Sequence, residues 1–377
     1  MYPERFHRMR PVFSIVVLLF AAQIASAADV SVFATPRPNA LEERLFADAA
    51  DGRLDEFSPL DAALVASGIE DVDSLRRYER KAAALVEQLR NSDKLADAPR
   101  ERVEAIFDFM HRRVLRGGYD LKHTDLRRVL DEGHYNCVTA TVLFNYLAGR
   151  LGLNCRGLQM PGHAMSRLLL ADGPLDVETT CPRWFQLADD PRRRTAVVGK
   201  TIGAAAAADP SKARQVSPIQ LAAMIYYNRG VDLLAENRFA EAAAANTKAL
   251  RLDPASAIAR GNLLATINNW SIELGNRGEY AEAVELLRQG MALDSRFEAF
   301  VQNYVHVHRQ WVEHLCRQRR FEEALEILSS AAAEMPEVDY LVRAQDEVCN
   351  RWSQALAAPR SVRMHQLPCA ICTPPVD

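Results

Sequence analysis

Apolar residues recur at helical spacing through the first third of the chain. Leu41, Leu45 and Phe46 form one set, Leu75, Tyr78, Ala82, Leu85 and Leu89 a second, and Val103, Ile106, Phe107 and Met110 a third. Steps of three and four put each set on one face of a helix, so the stretch from Leu41 to Val114 is predicted to be helical. Ser58-Pro59-Leu60-Asp61 and Asp97-Ala98-Pro99-Arg100 are helix entries with proline in the first turn. Arg116-Gly117-Gly118-Tyr119 breaks the last of these helices, and Asp125 to Leu130 adds a short one.

The pattern then changes. Asn136 is a suitable N-cap for a helix from Cys137 to Leu151, whose broad buried face comprises Val138, Val142, Leu143, Tyr146, Leu147 and Leu151, with Gly152 ending it. Cys155 to Gln159 reads as a short strand and Pro161-Gly162 as a turn. Ala164 to Leu170 is a strand, Asp172-Gly173 a tight-turn signal, and Leu175 to Thr179 the returning strand. With Asp172-Gly173 as the hairpin turn, paired residues have numbers summing to 345.

Residues 186–218 read as a connector, with Arg192-Arg193-Arg194, an alanine run at Ala204 to Ala208 and several prolines. From Ile219 the chain repeats: Phe239-Ala-Glu-Ala, Tyr280-Ala-Glu-Ala and Phe321-Glu-Glu-Ala lie 41 residues apart, as do Pro254, Ser295 and Pro336. Tyr226, Gly230, Leu233, Phe239, Ala242, Ala249 and Pro254 resemble the tetratricopeptide pattern of a helix pair, although the interval exceeds the usual period of about 34. Each helix pair would be completed by stacking on its neighbour. Residues 219–357 are therefore expected to form about three repeats, capped by a helix from Leu341 to Leu356, and residues 358–377 a loose tail.

Composition narrows the setting. The 377 residues are 49% hydrophobic and 25% charged, with a formal net charge of −3. That is ordinary globular usage, enough for two domains, and it offers no broad field for nucleic acid or an anionic membrane. At the N-terminus, Arg5, Arg8 and Arg10 precede an apolar core from Val12 to Ala22 and a small-residue site, Ala25-Ser26-Ala27. This is the pattern of a signal peptide over residues 1–27, with an uncleaved membrane anchor as the alternative. An exported protein with no stable membrane span after processing is expected. Seven cysteines leave an odd thiol in an oxidising compartment. Cys137 is the candidate for it; Cys369 and Cys372 form a CxxC in the tail, while Cys316 and Cys349 fall in helical patterns and are expected to be small buried apolar residues.

Three residue types in the central stretch carry chemistry. Cys137 opens a helix, where partial positive charge and unpaired N–H groups favour a thiolate and can receive an oxyanion. His163, opening a strand, is a candidate base. For the carboxylate, Asp176 and Glu178 share the face of His163. Under the 345 register they are offset along the strand by six and four residues, roughly 20 Å and 13 Å at about 3.3 Å per residue. A bulge or a shifted register closes the smaller gap more readily, favouring Glu178 over Asp176. His134, Tyr135, Asn136 and Cys181 stand near enough in sequence to line such a site.

Cys137 with its helix, Arg150-Leu-Gly-Leu ending that helix, His163-Ala and Val177-Glu178-Thr179-Thr180 together resemble the transglutaminase-like superfamily. The resemblance covers Val103 to Phe185. It implies an α+β transglutaminase-like (papain-like) domain within residues 28–185, followed by an all-α tetratricopeptide-type helical repeat domain. Glu178 stands where the family commonly has aspartate, and Ala164-Met165 where an aromatic often follows His-Ala. A resembling bacterial group pairs this domain with such repeats and often lacks the cysteine; this chain has both. The resemblance implies acyl transfer or amide hydrolysis through a Cys137–His163–Glu178 triad, with no metal or cofactor required, and a protein or peptide ligand bound by the repeats. The alternative is a non-enzymatic binding scaffold with a degenerate domain.

Overall fold

A computed structural model of the chain describes residues 36–92, 95–187, 196 and 213–357. The expected signal peptide, the triple arginine, the alanine run and the CxxC tail lie outside the described residues. The chain divides into two units, one up to Ile267 and one from Asn268.

The first unit opens with α1 (Ala40–Asp48), α2 (Pro59–Ala66), α3 (Val72–Arg90) and α4 (Pro99–Phe109). A widened π-type turn, Met110–Val114, continues α4. α5 (Leu126–Glu132) and α6 (Cys137–Arg150) follow. β1 (Gly118–Tyr119) and β2 (His134–Tyr135) run parallel, with Tyr119 opposite Tyr135. The chain comes very close to itself here. Gly133 has φ +75°, and a Cβ on it would collide with the Val114 carbonyl oxygen; one on Gly117 would sit 2.6 Å from the Glu132 carbonyl oxygen. Only glycine permits this crossing, and it delivers the chain to the start of α6.

α6 is buried almost all round, from Cys137 to Ala148, which marks it as the central helix of the unit. Its N-terminus is closed by reciprocal capping: Asn136 Oδ1 accepts from the Thr139 N–H at 2.9 Å, and Thr139 Oγ1 accepts from the Asn136 N–H at 2.9 Å. Such a cap contributes about 1 kcal/mol. Asn136 Nδ2 also donates to the Leu121 carbonyl at 3.2 Å, strapping the 120–124 loop to this end of the helix.

The sheet packed on α6 has the order β5-β4-β3-β6, built from β3 (Cys155–Met160), β4 (His163–Leu170), β5 (Gly173–Val177) and β6 (Arg214–Val216). Its central hairpin differs from the expected register. Ser166 faces Val177 and Leu170 faces Gly173, so paired numbers sum to 343 and the two-residue turn is Ala171-Asp172. Gly173, at φ +123°, is the first strand residue rather than the second turn residue. The shift puts Arg167 opposite Asp176, where the two form a bidentate ion pair at 2.6 and 2.7 Å.

The expected 186–218 connector supplies β6, which pairs with β3. The helices expected to form the first repeat, α7 (Pro218–Ala235) and α8 (Phe239–Leu252), belong to the first unit. α7 packs on α2 and α6 because its apolar residues surround it, with Ile219 to Tyr227 almost all buried. Tyr226 Oη and Lys248 Nζ both reach the buried Glu42 carboxylate, at 3.0 Å and at 2.8 and 2.7 Å. One apolar core runs from Leu41 to Ala259.

α9 (Ala257–Arg277) contains the boundary between the units. The second unit continues with α10 (Tyr280–Leu293), α11 (Glu298–Arg317), α12 (Phe321–Glu334) and α13 (Asp339–Ala357). This C-terminal region is helical, and long and short helices alternate. The 14-residue helices α8, α10 and α12 start at Phe239, Tyr280 and Phe321, and each is preceded by a left-handed residue two positions earlier: Asn237, Gly278 and Arg319. Tyr280 stacks on Trp311 with ring centroids 6.1 Å apart, and Phe321 stacks on Trp352, one 41-residue interval later, at 6.2 Å. Cys316 is buried as expected, whereas Cys349 is exposed. The buried face of α13 is Leu341, Ala344 and Val348, and the next residue points about 100° away from it.

Candidate functional site

The three sequence-predicted site residues come from three different elements. Cys137 is the first residue of α6, His163 opens β4, and Glu178 follows the last residue of β5. All are deep, exposing 5%, 3% and 2% of their surface. In the observed register His163 and Glu178 are offset by two residues on one face, not four, and the carboxylate meets the ring directly: Glu178 Oε2 lies 2.6 Å from His163 Nε2. The other oxygen, Oε1, accepts from the Thr180 N–H at 2.9 Å and from Thr180 Oγ1 at 2.6 Å. Thr179 Oγ1 lies 3.0 Å from Thr141 Oγ1 and so ties this segment to α6. Asp176, the other carboxylate considered, is held by Arg167 and does not reach the histidine.

With Nε2 occupied, the ring nitrogen left to His163 is Nδ1, which is buried and makes no hydrogen bond of ordinary geometry. Burial pushes the His163 pKa down, but hydrogen bonding to Cys137 and to Glu178, together with the charges of both, raises it to about 10. The thiol thus acts on the ring while Nδ1 stays formally open, as an empty site permits when its contacts tighten only around a substrate. A buried imidazole flanked by two groups able to carry negative charge favours its cationic form.

Other groups converge on the same place, and sequence reasoning missed three of them. His111, on the widened turn after α4, lies against Phe107 at 4.5 Å between centroids and against Tyr135 at 6.4 Å. Burial lowers its pKa to about 4, against a hydrogen bond to the Thr179 backbone and the charges of Asp108 and Glu178. Tyr119 lies 5.8 Å from Tyr135 by ring centroids, and its buried hydroxyl has no hydrogen-bond partner among the described residues. Burial raises its pKa, and the charges of Cys137 and Glu178 raise it further. Tyr227, on α7, accepts from Gln159 Nε2 at 3.0 Å and feels the charge of Cys137. Tyr135, expected near the site, has its pKa pushed up to about 12 by burial and by the charges of Cys181 and Glu178. Of these, only Tyr119 had a legible setting, a Gly-Gly-Tyr break, but a two-residue parallel pairing leaves no period to read.

Residues 76–227 match the family model Transglut_core2, of the transglutaminase-like superfamily. The match ends at Tyr227, so it includes β6 and most of α7. No match is found among curated proteins. Among solved structures, a crystal structure of menin that reveals that protein's binding site for the Mixed Lineage Leukemia (MLL) protein aligns at 15% identity. The alignment covers 87% of this chain and 80% of that one, with a TM-score of 0.34, a likeness too distant to support a conclusion about fold or partner. Residues 76–227 therefore carry a transglutaminase-like domain, and a helical C-terminal region follows it.

Proposed function

We propose that the chain is a cysteine-nucleophile enzyme that carries out acyl transfer or amide hydrolysis on a protein or peptide. The observation that carries this reading is the 2.6 Å bond between Glu178 and His163, which leaves a single imidazole nitrogen open to a site influenced by Cys137. Cys137 Sγ attacks the amide carbonyl carbon, and the C=O electron pair moves onto oxygen. The oxyanion collapses, the C–N bond breaks, and the leaving nitrogen takes its proton from His163 Nδ1. The thioester is then opened by water or by an amine, which gives its proton to the same nitrogen. Glu178 holds the ring in place and stabilises its positive charge.

The 41-residue interval of helix starts, left-handed turns and aromatic stacks supports tetratricopeptide-like repeats in the helical region, serving to bind a protein or peptide. The basic, apolar and small-residue order of residues 1–27 supports export. Among the described residues no helix is long and apolar enough to cross a membrane.

Labelling with iodoacetamide tests the site. Selective labelling of Cys137 in the wild type, lost in Cys137→Ala and slowed at least tenfold in His163→Ala, is expected. Equal labelling of the wild type and His163→Ala would remove the base. The depth of the triad favours a second reading, a protein-binding scaffold with an unused thiol. That reading expects Cys137 to stay unlabelled in the folded protein and to react only on unfolding.

A further inference from the structure

Five buried polar atoms on the elements around the candidate site lack a hydrogen bond of ordinary geometry among the described residues: His163 Nδ1, His111 Nε2, Tyr119 Oη, and the Nδ1 atoms of His123 and His134 on the adjoining loop and strand. Buried polar groups are rarely left unpaired, because each costs its desolvation with no return. His123 and His134 lie against each other, with ring centroids 4.6 Å apart, whereas the other three share the neighbourhood of Glu178, as groups kept open for something that binds there would. Their chemistry differs. His163 Nδ1 is the base of the proposed reaction. His111 bonds the Thr179 backbone and has a pKa of about 4, so near neutral pH it is an uncharged ring. Since Nε2 is the nitrogen without a partner, Nδ1–H is the donor to the Thr179 carbonyl, and Nε2 is a bare acceptor. Of the three, Tyr119 Oη is the neutral group that carries a proton of its own and takes no part in the proton transfers of the proposed reaction.

The backbone places Tyr119 beside the start of α6. Tyr119 stands opposite Tyr135 in the parallel β1–β2 pair, and Tyr135 is two residues before Cys137. The Asp120 N–H donates to the Tyr135 carbonyl at 3.0 Å, and Asn136 Nδ2 to the Leu121 carbonyl at 3.2 Å. The loop that follows Tyr119 is therefore tied on both sides to the first turn of α6. That first turn presents backbone N–H groups with no intrahelical acceptor, Cys137's own among them. Tyr227, the other phenol in the field of Cys137, has its oxygen held by Gln159 Nε2 on β3, so its position is set by that bond, whereas the Tyr119 hydroxyl is held by none among the described residues.

We propose that Tyr119 is a catalytic residue that donates its phenolic hydrogen, together with the Cys137 backbone N–H, to the oxyanion formed when Cys137 attacks a carbonyl. The inference rests on the reading of Cys137 as nucleophile. When Sγ bonds to the carbonyl carbon, the displaced electron pair sits on oxygen and is held by the two donors. It returns to carbon as the leaving group departs, and the phenol keeps its proton throughout. A phenol whose pKa is raised by burial and by nearby negative charge remains a hydrogen donor across the working pH range.

Two probes separate this role from others, both followed by mass spectrometry at Cys137 in the full chain. Iodoacetamide alkylates the thiolate by displacement at a saturated carbon and forms no oxyanion; p-nitrophenyl acetate acylates it through one. Tyr119→Phe is expected to keep the alkylation rate within twofold while acetylation slows about a hundredfold. Since the substitution removes an oxygen that has no partner, Tm should be unchanged or raised. Acetylation slowed less than tenfold overturns the proposal. Loss of both reactions together overturns it too, assigning the hydroxyl to the thiol or to the fold. A wild type inert to both probes overturns the nucleophile itself and this inference with it, an outcome separable from the others because it appears before any substitution is made.

Discussion

Glu178 commits both carboxylate oxygens, one to His163 Nε2 at 2.6 Å and the other to Thr180 at 2.9 and 2.6 Å. The imidazole is therefore fixed in orientation as well as charge. Glu178→Gln keeps the shape but replaces the charge and turns one acceptor into a donor. Iodoacetamide labelling of Cys137 is expected to slow at least tenfold in this variant, with a smaller loss in Thr180→Ala, where the carboxylate remains but one of its tethers is gone.

Two histidines give stability opposite pH limbs. The His163 pKa is raised from an ordinary 6.5 to about 10, so its contribution is full below about pH 6.5 and fades as pH rises through 10. The His111 pKa is lowered to about 4, so its contribution is full above about pH 6.5 and fades as pH falls through 4. Urea unfolding across pH 4–10 should show both limbs. His163→Gln should flatten the alkaline one and His111→Gln the acid one, each leaving the other limb in place.

Gly133 and Gly149 predict opposite responses to the same change. A Cβ on Gly133 strikes the Val114 carbonyl oxygen, and its φ of +75° is unfavourable to alanine. Gly133→Ala is expected to cost about 2 kcal/mol or more and to slow Cys137 labelling, since the crossing positions the start of α6. Gly149, near the end of α6, has open space around it, so Gly149→Ala should stabilise by about 0.5–1 kcal/mol. Chemical denaturation measures both.

Glu42 and Lys248 form a mostly buried ion pair, with side chains 4% and 17% exposed. Glu42→Ala leaves the ammonium in a poor environment and Tyr226 without its acceptor, and should destabilise the first unit by about 3 kcal/mol. The double replacement Glu42→Met, Lys248→Met should recover the part due to the stranded ammonium but not the part due to Tyr226, whose hydroxyl still lacks its acceptor. A double-mutant cycle read by urea unfolding checks the difference.

In the second unit, a Cβ on Gly290 would lie 2.7 Å from the fully buried Phe300 ring. Gly290→Ala should cost about 1–3 kcal/mol through overpacking. The additional substitution Phe300→Leu should relieve part of it, as thermal melting would report.

Local signals in the sequence marked the elements well. The Asn136 cap and the broad apolar face of the following helix locate α6, and the helix runs from Cys137 to Arg150. The hairpin is legible in outline, its register less so. Asp172-Gly173 is a strong turn dipeptide, yet the charges of Arg167 and Asp176 can face each other only in the 343 register, and cross-strand ion pairing fixes the strand there. The domain edge was less legible. The tetratricopeptide-like pattern, which includes Tyr226 and Gly230, assigns α7 to the helical array; burial on α2 and α6 makes it part of the first unit. Tyr119 and His111 could not be read as neighbours of Cys137, since a two-residue parallel pair and a widened helical turn bring them in.

Because Glu178 closes one nitrogen of His163, the ring offers a single port. On the proposed reading, every proton that leaves the thiol, reaches the departing group or comes from the incoming acceptor passes through Nδ1. Donor and acceptor then cannot be served at once. The first product must clear the port before the second reactant uses it, so the kinetics should be ping-pong, with parallel double-reciprocal lines when an amine acceptor is varied against the acyl donor.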